Sequence, residues 1–311
     1  MTIAQPLNGI IEAFKERQPM RAKSLIITFF GDVVSQHGKQ IWLGSITSAL
    51  EGLGVNDRLV RTSVFRLVKE DWLDVDREGR RSFYRFTNLG SQEYQRAAER
   101  IYSENNDIWR GRWQLLMLVD VNDQARDGLR RSLNWLGFRA ITPGTFARPG
   151  GDEVAVQDLL DEFGLDDGVI VMEASTSPIT LKRQLRETVS ERWELDALAD
   201  EYSAFIKRFK PLTAAINKGR RPTPIEAFHA RLLLIHDYRR VLLRDTSLPD
   251  DLLPSRWQGT LARQLVGSLY KDLAGPSLQF IEQHLAAQQG SLPGPNPAFY
   301  ERFGGFELST Q

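Results

Sequence analysis

Cysteine is missing from all 311 residues, which excludes disulfides, thiolate metal sites and cysteine nucleophiles, and suits a reducing cytoplasm. Net charge is missing too: 40 Lys and Arg balance 40 Asp and Glu, so no global field draws in polyanions and any nucleic-acid surface has to be a local patch. Long apolar runs are absent. Stretches such as Leu25–Phe30 and Leu232–Ile235 fall far short of the ~20 residues that cross a bilayer, so no membrane span is expected. The opening MTIAQPLNGIIEAFKERQPM lacks the basic-then-apolar build of a signal peptide, and nothing in it directs export. No glycine-rich phosphate loop follows a strand, and neither G-x-S-x-G nor H-E-x-x-H occurs, so catalysis has little support.

What is present is the balance of a soluble globular chain, 41% hydrophobic and 26% charged. Its length suits two or three domains, each able to bury a core. In the first, Ala22, Leu25, Ile26, Phe29, Phe30 and Val33 recur at helical spacing until His37-Gly38. A short β piece, Ile41-Trp42-Leu43, leads to Ser45, an expected N-cap for a brief second helix that ends at Gly52 to Gly54. Asn56 caps a third helix, whose buried stripe is Val60, Val64, Leu67 and Val68.

Turning each residue by roughly 100° puts Arg58, Thr62, Phe65 and Lys69 on the outward side of this third helix, flanked by Arg61 and Arg66. Period-two segments on either side of Glu78-Gly79 then read as a hairpin carrying Arg77, Arg80, Arg81 and Arg85. The order helix, strand, helix, helix, hairpin is a winged-helix plan. Such a fold lays a helix in the major groove and sets a hairpin tip on the adjacent minor groove or backbone. Arg58, Arg61, Thr62, Ser63 and Arg66 are the base or phosphate candidates, joined by Lys69 and the hairpin arginines. Asp57, Glu70 and Asp71 could instead neutralise them on an ordinary solvated face. The pair Arg80-Arg81 on a turn, with few structural partners, favours DNA. Phe65 could meet a thymine methyl or pack on a neighbouring segment, and stays outside the candidate set.

A boundary is expected at Asn105-Asn106. Beyond it the order βαββαβ, from Trp113 to Glu173, reads as ferredoxin-like. From Leu181 long amphipathic stretches dominate, and a proline- and glycine-rich end holding Phe299, Tyr300, Phe303 and Phe306 is expected to dock on the body. The whole is an α+β multidomain chain: a winged-helix domain with extension and linker helix over 1–104, a ferredoxin-like domain over 105–177 and a helical domain over 178–311.

The rival to a DNA-binding regulator is a metal-dependent nuclease using Asp120, with Asp123 near it at a strand end. Paired carboxylates there more often cap the next helix. Glu226 and His229 share a helical face with His236, but two turns separate the histidines, too far to share an ion. Packing or contact with an effector suits them better, and no metal or cofactor is expected.

The strings GVNDRLVRTSVFRLVKEDWLDV and GRRSFYRFT resemble the winged helix of the PaaX family of phenylacetate-catabolism repressors. AFHARLLLIHDYRRVLLRD, LPDDLLPSRW, ARQLVGSLY and FYERFGGF resemble the same family's C-terminal pattern in the same order, so the likeness runs from Ser24 to Phe306. The resemblance implies a homodimeric repressor, not an enzyme, that sits on operator DNA and leaves when phenylacetyl-coenzyme A binds. A coenzyme A thioester needs cations for its phosphates and an apolar slot for its ring. Arg239, Arg240, His229, His236 and Trp257 are the physical candidates for that pocket.

Overall fold

Leu7, Ile10, Ile11 and Phe14 recur at helical spacing and form the buried face of a first helix, α1 (Ala4–Lys15), in a segment read above only for its lack of a signal peptide. The computed structural model describes residues 3–17, 22–103, 109–151, 153–165, 167–177, 179–180 and 182–307, with 123–125 described as backbone only. The expected boundary at Asn105-Asn106 lies outside them. Contacts gather the chain into two units, 1–104 with 201–243 and 258–311, and 105–200 with 244–257.

In the first unit α2 (Ala22–Asp32) is buried from Leu25 onward. Then follow β1 (Ile41–Trp42), α3 (Leu43–Glu51), α4 (Asp57–Lys69), β2 (Leu73–Glu78), β3 (Arg81–Phe86) and α5 (Asn88–Tyr102). The strands form one sheet in the order β1-β3-β2, with Ile41 opposite Tyr84 and Val75 also opposite Tyr84 on its other side. Ser45 does not cap α3: Trp42 holds the N-cap position without a side-chain bond, and the buried Ser45 hydroxyl accepts from the Ala286 N–H at 2.9 Å. Asn56 does cap α4, accepting from the Leu59 N–H at 3.0 Å.

In the second unit β4 (Arg112–Leu118), α6 (Asp123–Trp135), β5 (Arg139–Thr142), β6 (Thr145–Pro149), α7 (Glu153–Phe163) and β7 (Val169–Ser175) precede α8 (Lys182–Arg192). The sheet order is β5-β6-β4-β7, every neighbour antiparallel. Leu116 and Phe146 of the sheet pack with Leu129 and Leu133 of α6 and Leu159 of α7. On the other sheet face, Ile170 and Met172 of β7 stand exposed beside Met117 and Leu115 of β4.

Next come α9 (Leu195–Asn217), α10 (Pro224–Leu242), α11 (Gln258–His284), a two-stranded ladder of β8 (Ala286–Ala287) and β9 (Gly290–Ser291), and α12 (Pro297–Tyr300). Thr223 and Glu226 start α10 with a reciprocal capping box. The segment expected to be amphipathic is instead buried on all sides from Ala227 to Tyr238, because α1, α2, α5 and α11 surround it. Residues 201–243 and 258–311, read above as part of a separate helical domain, thus share a core with the N-terminal segment. Fully burying each of its Leu or Phe side chains contributes roughly 1.5–3 kcal/mol.

The chain end docks as expected. Asn296 donates its N–H to the Gln36 carbonyl at 2.9 Å, and Phe299 is buried. Phe303 has left-handed backbone angles, φ 52° and ψ 43°, a conformation that costs a bulky residue ~1–3 kcal/mol. Its ring packs edge-on to Tyr102 at 5.5 Å and near Tyr270 at 5.2 Å, which offsets that cost and aims Arg302 inward.

Candidate nucleic-acid interface

Helix α4 buries Val60, Ser63, Val64 and Leu67, and this fixes its opposite face. Arg58, Arg61, Thr62, Phe65, Arg66 and Lys69 are all exposed there. Ser63, predicted to touch DNA, is 6% exposed and belongs to the core-facing side; it falls i+3 from Val60, next to the buried stripe. Phe65 is 70% exposed and stands in the middle of the cationic face. Thr62 donates its hydroxyl to the Arg58 carbonyl at 2.8 Å.

The hairpin supplies the second element. Its two-residue loop is Gly79-Arg80, between the paired Glu78 and Arg81. Gly79 has φ 57°, and Arg80 is not among the positive-φ residues, as a loop with its special conformation at the first position requires. Arg77, Arg80, Arg81 and Arg85 are exposed.

The acids divide these cations into two groups. Asp57 accepts from Arg61 Nε at 2.7 Å, and this bond lowers the carboxyl's pKa and raises the guanidinium's. Arg85 reaches Asp76 at 2.6 Å and Asp74 at 3.6 Å across the ladder, and Arg81 lies over the Trp42 ring at 5.2 Å. Glu70 is occupied by Lys23. Among the described residues, Arg58, Arg66, Lys69, Arg77 and Arg80 meet no carboxylate at ion-pair distance. The arrangement can hold phosphates with these unpaired cations and offer Thr62, Phe65 and Arg66 to base edges.

The five residues assigned to an effector divide between the two units, His229, His236, Arg239 and Arg240 in the first and Trp257 in the second. His229 donates Nε2–H to the Ala49 carbonyl at 3.0 Å, and burial lowers its pKa. His236 shares a 3.2 Å hydrogen bond with Thr28, sits edge-on to Phe14, and is pushed by burial to a pKa of about 4. Arg239 and Arg240 are half-buried beside it in sequence. Trp257 is buried in the second unit. These histidines are core residues because α10 has no solvent side. Glu226 is engaged in the cap of α10, accepting from the Thr223 N–H at 2.9 Å. Asp120 is exposed in the bend after β4, and the Asp123 side chain lies outside the described residues. Among the described residues no three His, Asp or Glu gather as metal ligands would, and no helix is long and apolar enough to cross a membrane.

Sequence reasoning missed the buried charges behind this surface. Asp32 and Arg231 are both 0% exposed and bonded at 3.1 Å. Asp32 also accepts from Tyr102 at 2.8 Å, Tyr270 at 2.9 Å and Arg302 at 2.8 Å. Burial opposes its charge, but the two guanidiniums and the two phenols outweigh it and hold the carboxyl below the ordinary range. A helix otherwise apolar around Asp32 was the available signal.

Known proteins match this chain along almost its whole length. Three family models fit in order: PaaX-like protein over residues 21–90, the PaaX protein central Cas2-like domain over 106–188, and the PaaX-like protein C-terminal domain over 193–283. A curated relative, Transcriptional repressor PaaX of Escherichia coli (strain K12), is 41% identical over 307 residues, covering 98% of this chain and 97% of its own. A solved structure of an uncharacterized protein from Mycobacterium tuberculosis is 17% identical with a TM-score of 0.48, covering 75% of this chain and 88% of that one. The chain belongs to the PaaX family.

Proposed function

We propose that this protein is a transcriptional repressor that grips operator DNA with a winged helix and lets go when phenylacetyl-coenzyme A binds. The observation that carries the DNA half is the set of unpaired, exposed cations Arg58, Arg66 and Lys69 on α4, with Arg77 and Arg80 on the hairpin, in a chain of zero net charge. Five local cations are on the scale that gives a steep salt dependence of DNA binding. The relative's name, that of a repressor, supports the role and assigns no catalytic step. The strand order β7-β4-β6-β5, antiparallel throughout, supports a ferredoxin-like reading of the second unit.

The repressor works as a homodimer, which spaces two copies of α4 to two half-sites. The exposed apolar sheet face around Ile170 and Met172 supports self-association. Release follows if the effector binds the DNA-incompetent form more tightly by a few kcal/mol, ~1–3 being typical of allosteric coupling. The test is a gel-shift titration at fixed salt on a phenylacetate-pathway promoter fragment, with phenylacetyl-coenzyme A, free phenylacetate and acetyl-coenzyme A in parallel. Specific binding released by the phenylacetyl thioester alone is the expected result. A protein that binds no such fragment is not this repressor.

A further inference from the structure

The first unit holds a cavity of about 870 Å3 between the end of α2, the end of β3, α5 and the C-terminal segment. That volume lies within the ~300–1,000 Å3 of ordinary small-molecule sites. None of His229, His236, Arg239, Arg240 and Trp257 lines it. Its buried or half-buried wall is Phe30, Phe86, Tyr94, Tyr102 and Arg302.

This wall has the chemistry of a recognition site. Gly31 lets the ring of Tyr94 lie directly against α2, since a Cβ there would fall 1.9 Å from it. Tyr94 and Tyr102 share a hydroxyl hydrogen bond at 3.1 Å, and Tyr102 donates to Asp32. Arg302 stacks over the Tyr102 ring at 3.8 Å. Its described hydrogen bonds, to the Asp32 carbonyl, the Asp32 carboxylate and Tyr270, all use Nη1. Behind the wall Arg231 and Arg302 face Asp32 as their shared carboxylate, and Nη1 and Nη2 of Arg231 have no hydrogen-bond partner among the described residues. Two buried cations on one anion leave a positive excess that an acceptor oxygen in the cavity would relieve.

The mouth carries both signs, Lys39 and Arg85 against Asp74, Glu99 and Glu301. A polyanion is therefore not drawn in whole; the inner wall selects one aromatic ring and one carbonyl or carboxylate oxygen. We propose that this cavity is the effector site, taking an aromatic acyl compound with its ring among Phe30, Phe86 and Tyr94 and its oxygen toward Arg302. Any phosphate-bearing remainder lies at the mouth near Lys39 and Arg85. The proposal rests on the repressor reading above. It also gives that reading a route: Arg85 is both a cavity residue and the partner of Asp74 and Asp76 in the hairpin. A ligand anion that recruits Arg85 takes it from those carboxylates and disturbs the element that carries Arg80.

The test uses full-length protein with Ala98→Trp or Gln95→Trp, on the α5 side of the cavity, where neither residue belongs to the DNA face. Either indole fills the space from a half-buried or exposed helix position. Calorimetric binding of phenylacetyl-coenzyme A, phenylacetate and acetyl-coenzyme A is measured with operator gel shifts of the same preparations. The expected result is ligand binding weakened at least ~10-fold in both variants, with operator binding kept and release lost. Tight binding by the thioester or by the free acid in the wild type identifies which source supplies the ring and oxygen; equal binding of acetyl-coenzyme A overturns the aromatic requirement. Variants that bind and respond as the wild type does overturn the cavity and leave the repressor intact. A wild-type operator complex indifferent to all three ligands overturns the effector reading and the cavity together.

Discussion

Arg302 and Arg66 carry the same guanidinium in opposite surroundings. Arg302 is buried against Asp32, Tyr102 and Tyr270, while Arg66 stands exposed on α4 with no carboxylate at ion-pair distance among the described residues. The first is held so completely that the chain accepts a left-handed Phe303 beside it. The second meets no carboxylate among the described residues and can serve a partner outside the fold. In this molecule burial separates the charges that make the fold from the charges that use it.

The largest effect should come from breaking the buried side of that contrast. Arg302→Ala removes the hydrogen bonds to the Asp32 carboxylate and carbonyl and the stacking on Tyr102, and each hydrogen bond to a charged group contributes about 1.5–3 kcal/mol. Urea denaturation should show the midpoint fall accordingly. Arg66→Ala measured alongside should stay within ~0.5 kcal/mol of the parent; equal losses in the two variants would dissolve the distinction.

Buried histidines give the next effect. Burial lowers His37 and His236 from 6.5 to about 4, so the folded protein keeps both neutral where the unfolded chain takes up protons. The unfolded state then binds more protons between pH 6.5 and 4, and stability falls as pH drops through that window. The stability these two contribute is complete above 6.5 and gone below about 4, a change of a few kcal/mol in all. Asp32 and Asp237, the second a buried carboxylate of α10 paired with Arg17 and Arg208, are held below the usual 3.8 by their guanidinium partners and add their losses only at lower pH still. Denaturation midpoints at pH 7, 6 and 5 should decline steadily, and His236→Leu should flatten the slope.

The exposed side is read out on DNA. Arg58→Ala and Arg66→Ala should each weaken operator binding, by about 1–3 kcal/mol where a base is contacted, or nearly uniformly across sequences with the salt slope reduced by ~1 where a phosphate is. Fluorescence anisotropy at several salt concentrations separates the two cases. Wild-type affinity in both variants would remove α4 from the interface.

Much of this was legible beforehand because period and punctuation are local. Val60, Val64 and Leu67 fixed the buried stripe of α4, Asn56 its start, Gly79 the hairpin turn and Phe299 the docked end. Ser63 is buried where the sequence pattern leaves it open, because a small polar residue at the stripe's edge can turn either way. What was not legible depends on residues distant in sequence. Nothing near Asp32 announces Arg231 or Arg302, 199 and 270 residues away. Nor does α10 announce that helices on every side will bury its histidines, which is why they read as contacts for a ligand.

The smallest effect, and the one opposite in sign, concerns Asp57. It lies on α4 and holds Arg61 at 2.7 Å, so against DNA it would both repel phosphate and withhold a cation. Asp57→Asn gives up a carboxylate at the helix N-terminus, a slight loss for α4. It also frees Arg61 to join Arg58 and Arg66. Operator binding should tighten by a few-fold, most visibly at low salt where exposed charges are least screened. Lys69→Gln, on the same face but without an acid to release, should only weaken it. If Asp57→Asn weakens binding as well, the carboxylate is positioning Arg61 for a base rather than restraining it, and the pair belongs among the contacts that DNA requires.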